Sequence, residues 1–244
     1  MTRLLPATLF VSLAVAPPVF AEWTIGAFAG GAHTQRTSLT ITRPAESTSV
    51  SLAGVRHRSE SMEPPIYYGY RIAFFPGWRW LGIEGELIHL KVVADTARDV
   101  QISGLLRGEP VGSTVRMSSV IEDFSITHGV NLLLVNAVLR RQAVVDRGGD
   151  ARFAVTARLG AGASVPHPES TIGGRHVEGY EWGAASVQAA AGIEMHVKRR
   201  VSVFAEYKLT HTTQDVRVAE GTARTPLTTH HVVAGLALRL GARD

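Results

Sequence analysis

Eight segments of this chain alternate apolar and polar residues over longer stretches than ordinary strands do, and no other feature narrows the possible folds as far. They run roughly over 22–33, 66–75, 80–93, 124–140, 151–165, 179–196, 201–215 and 227–241. In VSVFAEYKLTHT (201–212), Val201, Val203, Ala205, Tyr207 and Leu209 form an apolar face. Ser202, Glu206, Lys208 and Thr210 form the opposite one, with Phe204 as the exception. Strands of globular proteins average ~5–6 residues. A tilted strand that crosses a bilayer needs ~9–11.

The connections alternate in length. PGWR (76–79), RQAVVDRGGD (141–150) and KRR (198–200) are short, whereas 34–65, 94–123, 166–178 and 216–226 are longer. Short turns on one side and long loops on the other are the pattern of an outer-membrane barrel. The expected fold is therefore all-β: an eight-stranded antiparallel up-and-down transmembrane β-barrel with long external loops and short periplasmic turns. Aromatic residues fit two interfacial girdles. Trp23, Phe74, Phe75, Trp78, Trp80, Phe153 and Phe204 fall towards the short turns, and Tyr67, Tyr68, Tyr70, Phe124, Tyr180 and Trp182 towards the long loops.

The amino terminus is consistent with export. Arg3 precedes an apolar stretch from Leu4 to Phe20, and Val19 and Ala21 are small residues before Glu22. Residues 1–21 are expected to be a cleaved signal peptide, which leaves 22–244 as one barrel domain in the outer membrane of a Gram-negative bacterium. The chain has no cysteine and a net charge of +4, and its only lysines are Lys91, Lys198 and Lys208. Arginine suits phosphate and carboxylate partners. Arg36, Arg43, Arg56, Arg58, Arg98, Arg107, Arg116, Arg175, Arg217 and Arg224 in the long loops point to lipopolysaccharide, with the lipid bilayer as the other partner. No nucleic-acid motif is present, and a monomer is expected.

In a membrane barrel the apolar face meets lipid, so Glu206 and Lys208 face the lumen, as do Glu84 and Glu86. An eight-stranded lumen is only wide enough for side chains. Charges there should form an ion-pair network, completed by Arg140 or Arg239, because an isolated buried charge is costly. This network is either a satisfied plug or a site for proton transfer or metal binding. Histidines 33, 89, 128, 167, 211, 230 and 231 gather at the long-loop ends, where imidazoles could hold a divalent metal. The G-x-G in LGAGAS (159–164) lies in a strand rather than before a helix, so it favours close strand packing.

Five segments, PPIYYGYR (64–71), IHLKVVAD (88–95), HGVNLLLVNAVLR (128–140), GASVPHPE (162–169) and VFAEYKLT (203–210), together resemble the lipid A oxidase group within the OmpA/OmpX-like outer-membrane barrels. The resemblance implies oxidation of the proximal glucosamine of lipid A with molecular oxygen and a divalent metal. Glu206 or Glu86 would serve as general base, Lys208 would steady developing charge, and His89 would join the catalytic set. His89 and His167 would hold the metal, and Lys91, Asn131, His167 and Arg175 would bind substrate. The alternative is a non-enzymatic barrel that binds lipopolysaccharide or stabilises the membrane.

Overall fold

A computed structural model describes residues 21–145 and 151–240. Residues 1–20, all of the expected signal peptide but Ala21, and residues 146–150 of the 141–150 turn lie outside the described residues. Along the chain, β1 (Glu22–Thr34) is followed by the short strands β2 (Thr37–Arg43), β3 (Thr48–Val55) and β4 (His57–Arg58). The hairpin strands β5 (Tyr68–Phe75) and β6 (Leu81–His89) come next, then β7 (Val92–Ala94), β8 (Asp99–Leu106), β9 (Glu109–Arg116) and β10 (Asp123–Ile126). The long pair β11 (Leu132–Val145) and β12 (Ala151–Ser164) precedes a small hairpin, β13 (Glu169–Ile172) and β14 (Arg175–Glu178). The chain finishes with β15 (Ala185–Lys198), β16 (Val201–Val218) and β17 (Gly221–Leu240).

Eight of these strands, in the order β1, β5, β6, β11, β12, β15, β16, β17, form an antiparallel barrel. It closes where β17 pairs with β1, from Trp23↔Leu240 to Thr34↔Thr229. Closure satisfies every edge, which an open sheet in lipid cannot do. The outer wall is apolar around its whole circumference. Ile25, Ile72, Ile83, Val135, Leu139, Val155, Leu159, Val187, Ile193, Leu209, Val232 and Leu236 all stand exposed, with representatives from every strand of the ring. Such a continuous apolar belt is incompatible with water and fits a bilayer.

The girdles are real but thinner than the sequence suggests. Trp23, Trp78, Trp80 and Phe153 face outward near the tight turns, and Tyr70, Tyr180 and Trp182 near the outer side. Phe75 and Phe204 instead point into the lumen, Tyr67 fills the upper lumen, and Phe124 packs outside the barrel. Each obeys a local burial demand that strand-end position alone does not reveal.

The long external loops are the main correction. They are folded. Thr222–Arg224 at the outer end of β17 pairs with β2, which extends the barrel sheet through β3, β8 and β9. A second sheet runs β14-β13-β10-β7-β4. Leu39, Ile41, Val50, Leu52, Val100, Ile102, Met117, Ile121, Phe124, Ile172, Val216 and Ala223 form one apolar core in this outer region. The stretch 216–226, expected as a loop, is a continuation of β16 and β17 with a tight turn at Ala219 and Glu220. Residues 124–126 belong to the external β10 rather than to a barrel strand, and 179–184 precede the barrel strand β15.

Candidate functional site

The alternation read from VSVFAEYKLTHT holds: Ser202, Glu206, Lys208 and Thr210 are buried in the lumen while Tyr207 and Leu209 are exposed. Glu84 and Glu86 of β6, Glu206 and Lys208 of β16, Arg71 of β5 and Arg158 of β12 meet there. Lys208 Nζ lies 2.6 Å from Glu206 Oε1 and also binds Glu86. Arg158 donates to Glu84 Oε1 at 2.9 Å and to Glu206, and Arg71 approaches Glu206 Oε2 at 3.3 Å. The amides of Asn136 and Gln188 donate to Glu86 Oε2 at 3.0 and 2.7 Å. The guanidinium of Arg71 lies 3.7 Å above the Phe204 ring, which explains the one aromatic on this otherwise polar face. Three carboxylates face three cations, so the network is neutral.

The arginines of this network are Arg71 and Arg158, not Arg140 or Arg239. The latter two sit at the periplasmic end with Glu22 and Glu194. Alternation predicts Arg71 and Arg158 as lumenal, since Tyr70 and Ile72 flank one and Ala157 and Leu159 the other. Between the two networks remains a cavity of about 20 Å³ lined by Arg71, Arg140, Arg158 and Glu194, room for about one water. Above the central network, Phe28, Tyr67, Leu90, Val92, Ile126, Val130 and Leu227 fill the mouth. Among the described residues, buried side chains fill the lumen at both levels. Gly160 of the G-x-G allows it to be tight, since a Cβ there would stand 1.8 Å from Asn136 Oδ1.

At the outer mouth, the other expected site residues separate. His89 stacks on Tyr68 with ring centroids 4.8 Å apart, and its Nδ1 donates to Asn131 Oδ1 at 2.9 Å. The Asn131 amide in turn donates to the carbonyls of Gly129 and Val165 at 3.2 and 3.0 Å, tying two external segments together. Lys91 is buried and donates to the Pro64 carbonyl at 3.2 Å. Arg175 pairs with Glu220 at the far end of the β13–β14 hairpin. Arg43, Arg58, Arg98, Arg116, Arg217 and Arg224 likewise have carboxylate partners within the molecule. Much of the arginine charge expected to meet lipopolysaccharide is therefore already engaged.

His167 does find charged company, but not His89. Its neighbours are His128 and Glu169, with ligand atoms of all three within 4.8 Å of one another. His128 Nδ1 lies 2.9 Å from Glu169 Oε1, and His167 Nδ1 lies 3.8 Å from the same oxygen. Thr127 also donates to that oxygen. Burial raises the Glu169 pKa, but the hydrogen bonds from Thr127 and His128 and the charges of His128 and His167 outweigh it and leave it below the usual carboxylate value. The position of the histidines at the long-loop ends of strands points to this end of the barrel. Glu169 was missed because only the β13 hairpin brings it beside residues 127–128. In β4, at the other edge of the outer five-stranded sheet, burial lowers the His57 pKa to about 4 against the raising effect of a Gln35 backbone hydrogen bond.

Gly129 holds this corner together. Its φ is +100, and a Cβ would lie 2.4 Å from His89 Nδ1 and 2.7 Å from Asn131 Oδ1. Gly129→Ala is expected to cost about 1–3 kcal/mol from backbone conformation alone. Limited proteolysis should then cut the external segments faster while the barrel stays folded, and an unchanged cleavage rate would refute the close fit.

A closed barrel with an apolar wall, a lumen filled by side chains and folded external strands is an outer-membrane β-barrel protein. No family model matches the chain, and no curated protein matches it. Among solved structures it is similar to the outer-membrane protease OmpT of Escherichia coli (9% identity, TM-score 0.46, 94% of this chain and 99% of that one). It is also similar to OprG of Pseudomonas aeruginosa (9%, 0.48, 91% and 97%) and to Ail, the attachment invasion locus protein of Yersinia pestis (10%, 0.37, 91% and 99%).

Proposed function

We propose that this barrel works on its outer-leaflet surface, on lipopolysaccharide, and conducts nothing through its lumen. The observation that carries this reading is the arrangement at the outer interface. Exposed Tyr180 and Trp182 stand at headgroup level, and the Tyr180 ring meets His167 edge-on at 4.5 Å. The resemblance to lipid A oxidases names an activity for such a surface, oxidation of the proximal glucosamine of lipid A. That reaction turns the hemiacetal carbon of an unphosphorylated sugar into a lactone. Two electrons and two protons pass to dioxygen, which leaves as hydrogen peroxide.

The second reading, a non-enzymatic barrel that binds lipopolysaccharide or stabilises the membrane, is favoured by the lumen. Glu206, Glu86 and Lys208 are buried and engaged with one another and with Arg158, the pattern of a charge network that holds a barrel together. Mass spectrometry of lipid A from aerated cells with and without the gene separates the two readings. Oxidase activity predicts a gene-dependent species heavier by one oxygen atom once the lactone opens. Identical spectra would discard the oxidase and leave the binding barrel.

A further inference from the structure

We propose that His128, His167 and Glu169 form a binding site for a divalent first-row transition metal at the outer rim of the barrel. The proposal is independent of whether lipid A is a substrate.

The donor set is two imidazole nitrogens and one carboxylate. Imidazole disfavours calcium and magnesium and suits zinc, iron or cobalt. Ligands about 2.0–2.2 Å from a common ion lie about 3.0–3.5 Å from one another. The observed separations of 2.9 Å (His128 Nδ1 to Glu169 Oε1) and 3.8 Å (His167 Nδ1 to Glu169 Oε1) bracket that range, and all three ligand atoms lie within 4.8 Å of one another, so the side chains would draw together around an ion.

His167 Nδ1 supplies an independent observation. It is buried and has no hydrogen-bond partner, although it faces Glu169. A plain histidine–glutamate hydrogen bond accounts for His128 and leaves this nitrogen unexplained. A buried polar atom without a partner costs about 1–3 kcal/mol, and a shared cation would satisfy it.

The surroundings also resemble a prepared site. Pro166 and Pro168 flank His167 and restrict its backbone. The backbone N–H of His167 donates to the Gly129 carbonyl at 3.2 Å, and Asn131 holds the same two segments together through the Gly129 and Val165 carbonyls. Thr127 orients the Glu169 carboxylate. Support of this kind beyond the ligands fixes their geometry. With only three protein ligands, the ion keeps positions open for water or an oxygen-bearing group. His128 is the exposed member, at 56%, so the open side faces the outer surface.

The test uses tag-free, full-length protein folded into detergent micelles and titrated with cobalt(II), which gives visible ligand-field bands in nitrogen-and-oxygen sites. One tightly bound equivalent is expected. His167→Ala, His128→Ala and Glu169→Gln should each weaken binding by at least about 100-fold, since loss of a supporting residue alone costs ~10–100-fold. His211→Ala, whose ring bonds only Thr228 on the barrel wall, should bind as the parent does. The heat-dependent gel shift checks that each variant is folded; if His167→Ala is not, the exposed His128 carries the test. No bound cobalt in the parent protein, or equal binding in folded His128→Ala and Glu169→Gln, would overturn the site. Failure here would leave the lipid A measurement untouched, and the reverse also holds.

Discussion

Glu206→Gln will lower the stability of the folded barrel by about 3–5 kcal/mol, the cost of leaving a buried charge uncompensated, with lipid A unchanged. The substitution keeps the shape of the side chain and removes the charge that Arg71, Arg158 and Lys208 share. What remains is three cations against Glu84 and Glu86 in a buried site whose adjoining cavity holds about one water. Adding Lys208→Met should restore much of the loss, because two cations then face two carboxylates. The midpoint of denaturant unfolding measures both effects, and the double variant is the sharper control. A folded, equally stable Glu206→Gln barrel whose lipid A product disappears would move Glu206 from architecture to chemistry.

The second large effect concerns the external region. Leu52 is fully buried among Leu39, Ile41, Val50 and Ile102. Leu52→Ala should cost about 2–5 kcal/mol there, and Leu52→Asp more, because a carboxylate would also have to leave water. The lipid-facing wall and the lumen network do not touch this core. The expected outcome is rapid proteolysis between 35 and 67 and between 90 and 131, with the heat-modifiable band retained. Loss of both together would mean that barrel and external sheets unfold as one unit.

The barrel was legible because six of its eight strands, all but β5 and β6, repeat a period of two over 13 to 20 residues, a length that soluble strands rarely reach. The same period assigned Glu84, Glu86, Glu206 and Lys208 to the lumen. It did not reveal the external strands, which are two to eight residues long and read as polar loops. Their signals were turns rather than periods. Arg107 and Gly108, with φ of 52 and 81, join β8 to β9, and Gly173 and Gly174, with φ of 59 and 73, join β13 to β14. Both are two-residue hairpin turns, and the Gly-Gly pair is an ordinary hairpin marker. The site around His167 was half legible. The histidines cluster at one end of the barrel by strand position alone. Glu169 reaches His128 across 41 residues of chain, and only tertiary pairing of β10 with β13 makes that approach.

β17 has two employments, as the seam partner of β1 and as the support on which β2 and the rest of the outer sheet lean. The outer core draws residues from the first and second external segments, from β13, and from the tip of the last hairpin. None of these groups is adjacent in the chain, because whole membrane strands separate them. In the folded protein their meeting goes with the closed ring, because β17 carries both the seam with β1 and the contact with β2. The outer sheets thus report on closure. An antibody that recognises only their folded form would count completed barrels and ignore those still open at the seam.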